Sequence, residues 1–242
     1  GECCRMQFME VVPSRVLNQL YIFLDIGFLL FLFVVLICCR KYLAAIFGLC
    51  GGLLYFLVDY GGFYLLLGTR TVSGADPFWF LLWLSMSYGF TNFVWIWLWL
   101  DRDKRALEWS VLIIAGWFAT ALLSQNFGGG FKEITISRGT GGYHGIMAAI
   151  LFVGYAILCI RNIRAKDPGQ RIDLPWILAI GVLVQFSWEF VLLITGIRAQ
   201  GLGPLVVDSL LETNLGLPYI YFIHRAVSRR WREDLSRVQT NS

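Results

Sequence analysis

The chain has 242 residues, is 57% hydrophobic and 16% aromatic, and has a mean hydropathy of +0.65. A soluble domain this apolar could not cover its surface with polar groups, so the composition excludes an ordinary soluble enzyme or binding module. The net charge of +4 mostly reflects basic residues gathered in the loops of one side.

Long apolar runs separated by charged or Gly/Pro-rich joints predict an all-α polytopic membrane protein with seven transmembrane helices in a single domain over 1–242. Span one, 19–39, carries Asp25 and ends on Cys38 and Cys39, which suit palmitoylation at a membrane boundary. Span two, 43–67, holds Asp59 and Tyr64 and is interrupted by DYGG. Span three, 78–100, carries Tyr88, Asn92 and Trp95, and span four, 108–125, is a plain apolar helix. Span five, 143–161, opens on Tyr143 and His144; span six, 174–196, carries Gln185, Trp188 and Glu189. Span seven, 205–225, holds Asp208, Glu212 and Asn214 and is partly broken by GLP, and a basic tail occupies 226–242. Cys50 and Cys159 read as packing residues within their apolar runs.

The basic residues predict the topology. Arg40, Lys41, Arg102, Lys104, Arg105, Arg161, Arg164, Lys166, Arg171, Arg225, Arg229, Arg230, Arg232 and Arg237 follow spans one, three, five and seven. Only Arg5, Arg15, Arg70, Lys132, Arg138 and Arg198 fall on the other side. Positive-inside asymmetry puts the N-terminus outside or in a lumen and the C-terminus in the cytosol. The tail HRAVSRRWREDLSR, next to a span, then reads as an anchor for anionic lipid headgroups rather than a nucleic-acid site. The expected location is an integral membrane site, the endoplasmic reticulum in a eukaryote or the inner membrane in a bacterium.

An internal echo links the halves. SYGFTN, Ser87 to Asn92, matches SLLETN, Ser209 to Asn214, at Ser, Thr and Asn, and Arg70 and Arg198 each close a preceding outer joint. Parallel three-helix units over 19–100 and 143–225, joined by span four as connector, give a 3+1+3 pseudo-repeat of a kind used by transporters.

By this topology Asp25, Asp59, Glu189, Asp208 and Glu212 all fall in the outer half of the membrane. Ionisable groups at such depths face the bundle interior or a wet cavity, so five at related depths point to one cavity open to the outer side. Asp208 and Glu212 are spaced i, i+4, as are Gln185 and Glu189, and Tyr88 and Asn92, so each pair shares a helix face. Glu189, Glu212 and Asp208 are the candidate catalytic acids. Asp25, Asp59, Tyr64, Tyr88, Asn92, Trp95, His144, Gln185, Trp188 and Asn214 are the candidate substrate-binding residues. Interfacial placement for Asp25, helix capping for Asp208 and interhelical bonding for Asn92 and Asn214 are the structural alternatives. No paired-His, clustered-Cys, GxGxxG, P-loop or GxSxG pattern occurs, so neither a metal nor a cofactor is expected.

A carboxyl in an apolar pocket holds its proton and can protonate an alkene or epoxide, while Trp and Tyr faces shield the resulting cation. The SWEFV stretch at Ser187–Val191, followed by an acidic last span, resembles the small seven-span terpene cyclases of meroterpenoid and indole-diterpene pathways. Those proteins carry a Trp–Glu motif, commonly N-x-x-W-E, and a second acid in the last span. The resemblance implies acid-initiated cyclisation or isomerisation of a membrane-dissolved isoprenoid without a diffusible cofactor. It gives Glu189 the role of the motif's acid and Asp208 or Glu212 that of the last-span acid. The motif here stands in span six instead of an early span, with Gln185 or Phe186 at the Asn position. The alternatives are a small-solute or proton-coupled transporter of the sugar transporter/PQ-loop type, and a seven-span receptor.

Overall fold

The computed structural model describes residues 14–139, 143–198 and 202–240, and of residues 202–204, 207–208 and 234–240 the backbone alone. The chain is predominantly helical. In order it forms β1 (Ser14–Asn18), α1 (Gln19–Cys38), α2 (Tyr42–Phe56), β2 (Arg70–Ser73), α3 (Pro77–Leu100) and α4 (Ala106–Phe127). Then follow β3 (Glu133–Arg138), α5 (His144–Arg164), α6 (Leu174–Ile194), α7 (Leu202–Leu211) and α8 (Leu217–Thr240). The α2 helix continues as a wider π-helical stretch over Leu57–Leu66.

Local signals start these helices. Asn18 caps α1 by accepting from the Tyr21 amide at 3.0 Å. Asp76 caps α3 and Asp173 caps α6 in the same way, each with a proline in the first turn. Arg40 and Arg102 take positive φ where α1 and α3 end, and these two reversals are tied together by the Lys41–Asp103 ion pair.

Five helical stretches among the described residues are long and apolar enough to cross a membrane: Gln19–Cys38, Tyr42–Leu66, Ala106–Phe127, His144–Arg164 and Pro168–Ile194. Their outer faces expose Phe31, Val34, Leu107, Val111, Phe152 and Leu183. Large side chains left this open suit lipid as solvent. Cys50 and Cys159 also face outward, not into the core as their apolar surroundings suggest. The segment expected as a seventh span is divided: α7 ends at Leu211, a turn occupies 212–216, and α8 starts at Leu217.

α3 is the axis of the bundle and is buried along most of its length. It meets α2 through small residues. A methyl group on Gly89 would sit 2.7 Å from Gly52 Cα and 3.0 Å from the Gly51 carbonyl, so the two backbones touch directly.

The all-helical expectation misses a three-stranded antiparallel sheet, ordered β1-β3-β2. Val16 pairs with Thr135, and Arg70 with Arg138. β1 leads into α1, β2 joins the π-helical stretch to α3, and β3 joins α4 to α5, so the sheet covers one end of the bundle. Its strands are too short for their alternation to register against long apolar runs.

Candidate functional site

At the sheet end two carboxylates are each held by two arginines. Asp59, on the π-helical stretch, accepts from Arg70 Nε at 2.8 Å and from Arg138 Nη2 at 3.0 Å. Glu189, on α6, pairs with Arg198 and lies 3.6 Å from Arg15. The sheet supplies three of these arginines, one from each strand. Burial and then the neighbouring Arg138 charge pull the Arg70 guanidinium down to about 10. Burial also works against the charge on Arg138, but Asp59 and then Glu212 outweigh it and its proton is held more tightly than usual. Arg70 also lies over the Phe63 ring, 4.4 Å from its centre.

Glu189 connects to the last segment through Gln185, one turn before it. Gln185 Nε2 donates to Glu189 Oε1 at 3.3 Å and to Glu212 Oε2 at 3.0 Å. Gln185 Oε1 accepts from Tyr88 Oη at 2.8 Å and Thr213 Oγ1 at 2.6 Å. One carboxamide thus uses both donors and both lone pairs, joining α3, α6 and the α7–α8 turn. Tyr88 Oη is also 3.3 Å from Glu212 Oε2. A phenol has one proton, so the shorter contact to Gln185 takes it and leaves the Glu212 contact the weaker one. Glu212 makes no ion pair within 4.0 Å among the described residues and is half-buried.

Aromatic rings form a wall beside this network. Tyr55 stacks on Tyr88 at 5.2 Å, and Tyr88 meets Trp188 at 5.4 Å. Trp188 meets Trp117 at 4.5 Å, and Trp117 meets Trp95 at 5.8 Å. Asn92 lies on α3 between Tyr88 and Trp95, at i+4 and i−3 spacing. It is fully buried, and neither its oxygen nor its nitrogen has a hydrogen-bond partner. The indole N–H groups of Trp117 and Trp188 are buried and unpartnered too. Most buried polar groups in proteins find a partner, so these are exceptions, as are the buried indole N–H groups of Trp97, Trp109 and Trp176.

The structure gathers Glu189, Glu212, Tyr88, Gln185, Trp188 and, along the aromatic wall, Asn92 and Trp95. Trp95 directs its N–H to Ser110 at 2.7 Å. Asn214 packs over Gly181 of α6 and accepts from Tyr155 at 3.1 Å. Asp59 belongs to the second carboxylate–arginine cluster. Tyr64 only stacks on Tyr60 at 5.4 Å, and His144 stands at the start of α5 with no recorded bond to the network. Asp25 lies elsewhere, hydrogen-bonded to Trp83 of α3 at 3.0 Å. The Asp208 side chain lies outside the described residues.

Arg15, Arg138, Tyr55 and Trp117 carry no sequence motif that points to this site, and Thr213 is marked only by the SYGFTN/SLLETN echo. A long-range signal was available for the arginines alone: few basic residues occupy that side of the chain, and buried acids require partners. Among the described residues no three His, Cys, Asp or Glu side chains come together to hold a metal ion. No known protein family, curated protein or solved structure matches the chain.

Proposed function

We propose that this chain is a membrane-embedded cyclase or isomerase that protonates an isoprenoid dissolved in the bilayer and uses no diffusible cofactor. One observation carries the reading: Glu212, which makes no ion pair within 4.0 Å among the described residues, lies on a saturated Gln185–Tyr88–Thr213 network beside a wall of Tyr and Trp rings. In this reading Glu212 gives the proton. Glu189, occupied by Arg198 and Arg15, orients Gln185 and balances charge. Asp208, one turn before Glu212 in sequence, is the second last-segment acid. The ring faces stabilise the carbocation that follows protonation, and the Asn92 carboxamide holds an oxygen of the substrate.

The reading includes a seven-span arrangement with α3 and the broken α7–α8 segment as the two further crossings, and with the sheet end outside or lumenal. It also relates the halves as a 3+1+3 repeat. Ser87, Thr91, Asn92 and Arg70 are all buried, as are Ser209, Thr213, Asn214 and Arg198. The acid–arginine pairs Asp59–Arg70 and Glu189–Arg198 recur at like positions. The endoplasmic reticulum, or a bacterial inner membrane, is the corresponding location. The test is product analysis from membranes supplied with prenylated aromatic substrates carrying a terminal alkene or epoxide. Cyclised product from wild type and none from Glu212→Gln supports it.

A transporter is the second reading, favoured by the helix break at 212–216, which contains Asn214. Discontinuous helices hold substrates in many carriers. Solute uptake into proteoliposomes, coupled to proton movement and absent for Asn214→Leu, would favour it over the cyclase.

A further inference from the structure

Asp25 is set apart from the other buried acids by what surrounds it. It is 0% exposed and accepts one hydrogen bond, from Trp83 Nε1 to Oδ2 at 3.0 Å, while Oδ1 has no partner. The Ser87 hydroxyl faces the carboxyl but makes no hydrogen bond, and the Ser85 hydroxyl on the same helix is also buried and unpartnered. Tyr21, one turn earlier on α1, packs edge-on against Trp83 at 5.9 Å.

The elements packed against α1 are α2, α3, α4 and β1. The α3 sequence contains no Asp, Glu, Lys, Arg or His, and neither does α2. α4 contains Glu108 alone, in its first turn at the far end of the helix. The basic residue of β1, Arg15, is directed to Glu189 at 3.6 Å. No cation among the described residues lies within 4.0 Å of Asp25, whereas Asp59 and Glu189 each have two.

An unpaired buried carboxylate costs more free energy than a carboxyl that keeps its proton, and buried acids without a cation neutralise. A single indole donor does not replace the two or three hydrogen bonds that hold a buried carboxylate charged. We propose that Asp25, with Trp83 and Ser87, forms a proton-binding site on the α1–α3 seam, separate from the Gln185 network. The protonated oxygen is Oδ1, which is otherwise unpartnered. The site takes its proton from water and returns it when the seam is wetted or a cation enters. This inference does not depend on the cyclase reading, since an empty or transporting protein would carry the same proton.

Infrared spectroscopy of the full chain in lipid nanodiscs tests it. At about pH 5.5, where an ordinary aspartate is ionised, wild type is expected to show a carboxylic-acid C=O stretch, shifted in D2O, that is missing from Asp25→Asn. On alkaline titration the band should be lost only above the ordinary aspartate range of about 3.9. Trp83→Phe keeps the carboxyl and removes its one donor. In that variant the band should move in frequency and survive to higher pH, which provides the test if Asp25→Asn does not fold. A wild-type spectrum with no band that Asp25→Asn removes, or a band untouched by Trp83→Phe, overturns the assignment.

Discussion

Replacing Gln185 by leucine keeps its bulk and removes all four hydrogen bonds of its carboxamide. The heaviest loss falls on Thr213, whose hydroxyl is 2.6 Å from Gln185 Oε1, is buried and has no other hydrogen bond among the described residues. Leaving such a group unpaired costs about 1–3 kcal/mol, and the donor lost by Glu212 adds about 0.5–1.5 kcal/mol as an ordinary hydrogen bond. Tyr88 keeps its longer contact to Glu212, and leucine regains some apolar burial. The net expectation is a destabilisation of about 3 kcal/mol, read as equilibrium unfolding in mixed micelles by tryptophan fluorescence. Thr213→Val supplies the second half of the cycle. Since it removes the orphaned hydroxyl, adding it to Gln185→Leu should recover about 1–2 kcal/mol, where independent sites would add. A Gln185→Leu variant within about 0.5 kcal/mol of wild type, or strict additivity, would refute the network.

Gly89→Ala forces a methyl group against the Gly52 backbone and should cost about 1–3 kcal/mol or separate α2 from α3, measured in the same unfolding assay. Glu189→Gln removes the buried carboxylate charge that Arg198 and Arg15 share, and a loss of up to about 3–5 kcal/mol should appear as reduced yield and thermal stability. Asp103 behaves differently because it lies in the turn between α3 and α4. Burial pushes its carboxyl up, but the Lys41 ammonium and the Arg105 backbone N–H more than offset this and hold it below the ordinary range. Its contribution is therefore present above the unfolded carboxylate pKa of about 3.9 and lost as pH falls through the lowered folded value. Lys41 is 36% exposed, which keeps the pair under about 1 kcal/mol. Asp103→Asn should flatten the acid limb of a stability–pH curve and leave neutral-pH stability nearly unchanged.

Much of this architecture is legible because bilayer physics writes it into composition. Uniformly apolar runs of about 20 residues mark α1, α4, α5 and α6 within a few residues of their ends. The buried placement of Glu189 and Gln185 follows from the cost of polar groups in lipid. The sheet is not legible, since β1, β2 and β3 gain their identity from pairing across more than 60 residues of sequence. The arginines it carries are obscured for the same reason: Arg15 reaches Glu189, and Arg138 reaches Asp59, only after β3 has set the register. Depth also says little about lateral position. It places Asp25, Asp59 and Glu189 in one layer, yet α3 separates the Asp25 seam from the Gln185 network. The break at 212–216 was visible as Gly216 and Pro218, although its consequence, turning Glu212 and Thr213 toward Gln185, depends on how α7 packs against α6.

The most direct test of the central claim compares wild type with Glu212→Gln in membranes given a prenylated aromatic terminal epoxide. Glutamine retains the shape of the side chain and can still accept from Gln185, so the fold should survive and only the transferable proton is removed. The account predicts cyclised product from wild type and none above background from Glu212→Gln at equal protein level. Undiminished turnover by Glu212→Gln would contradict it.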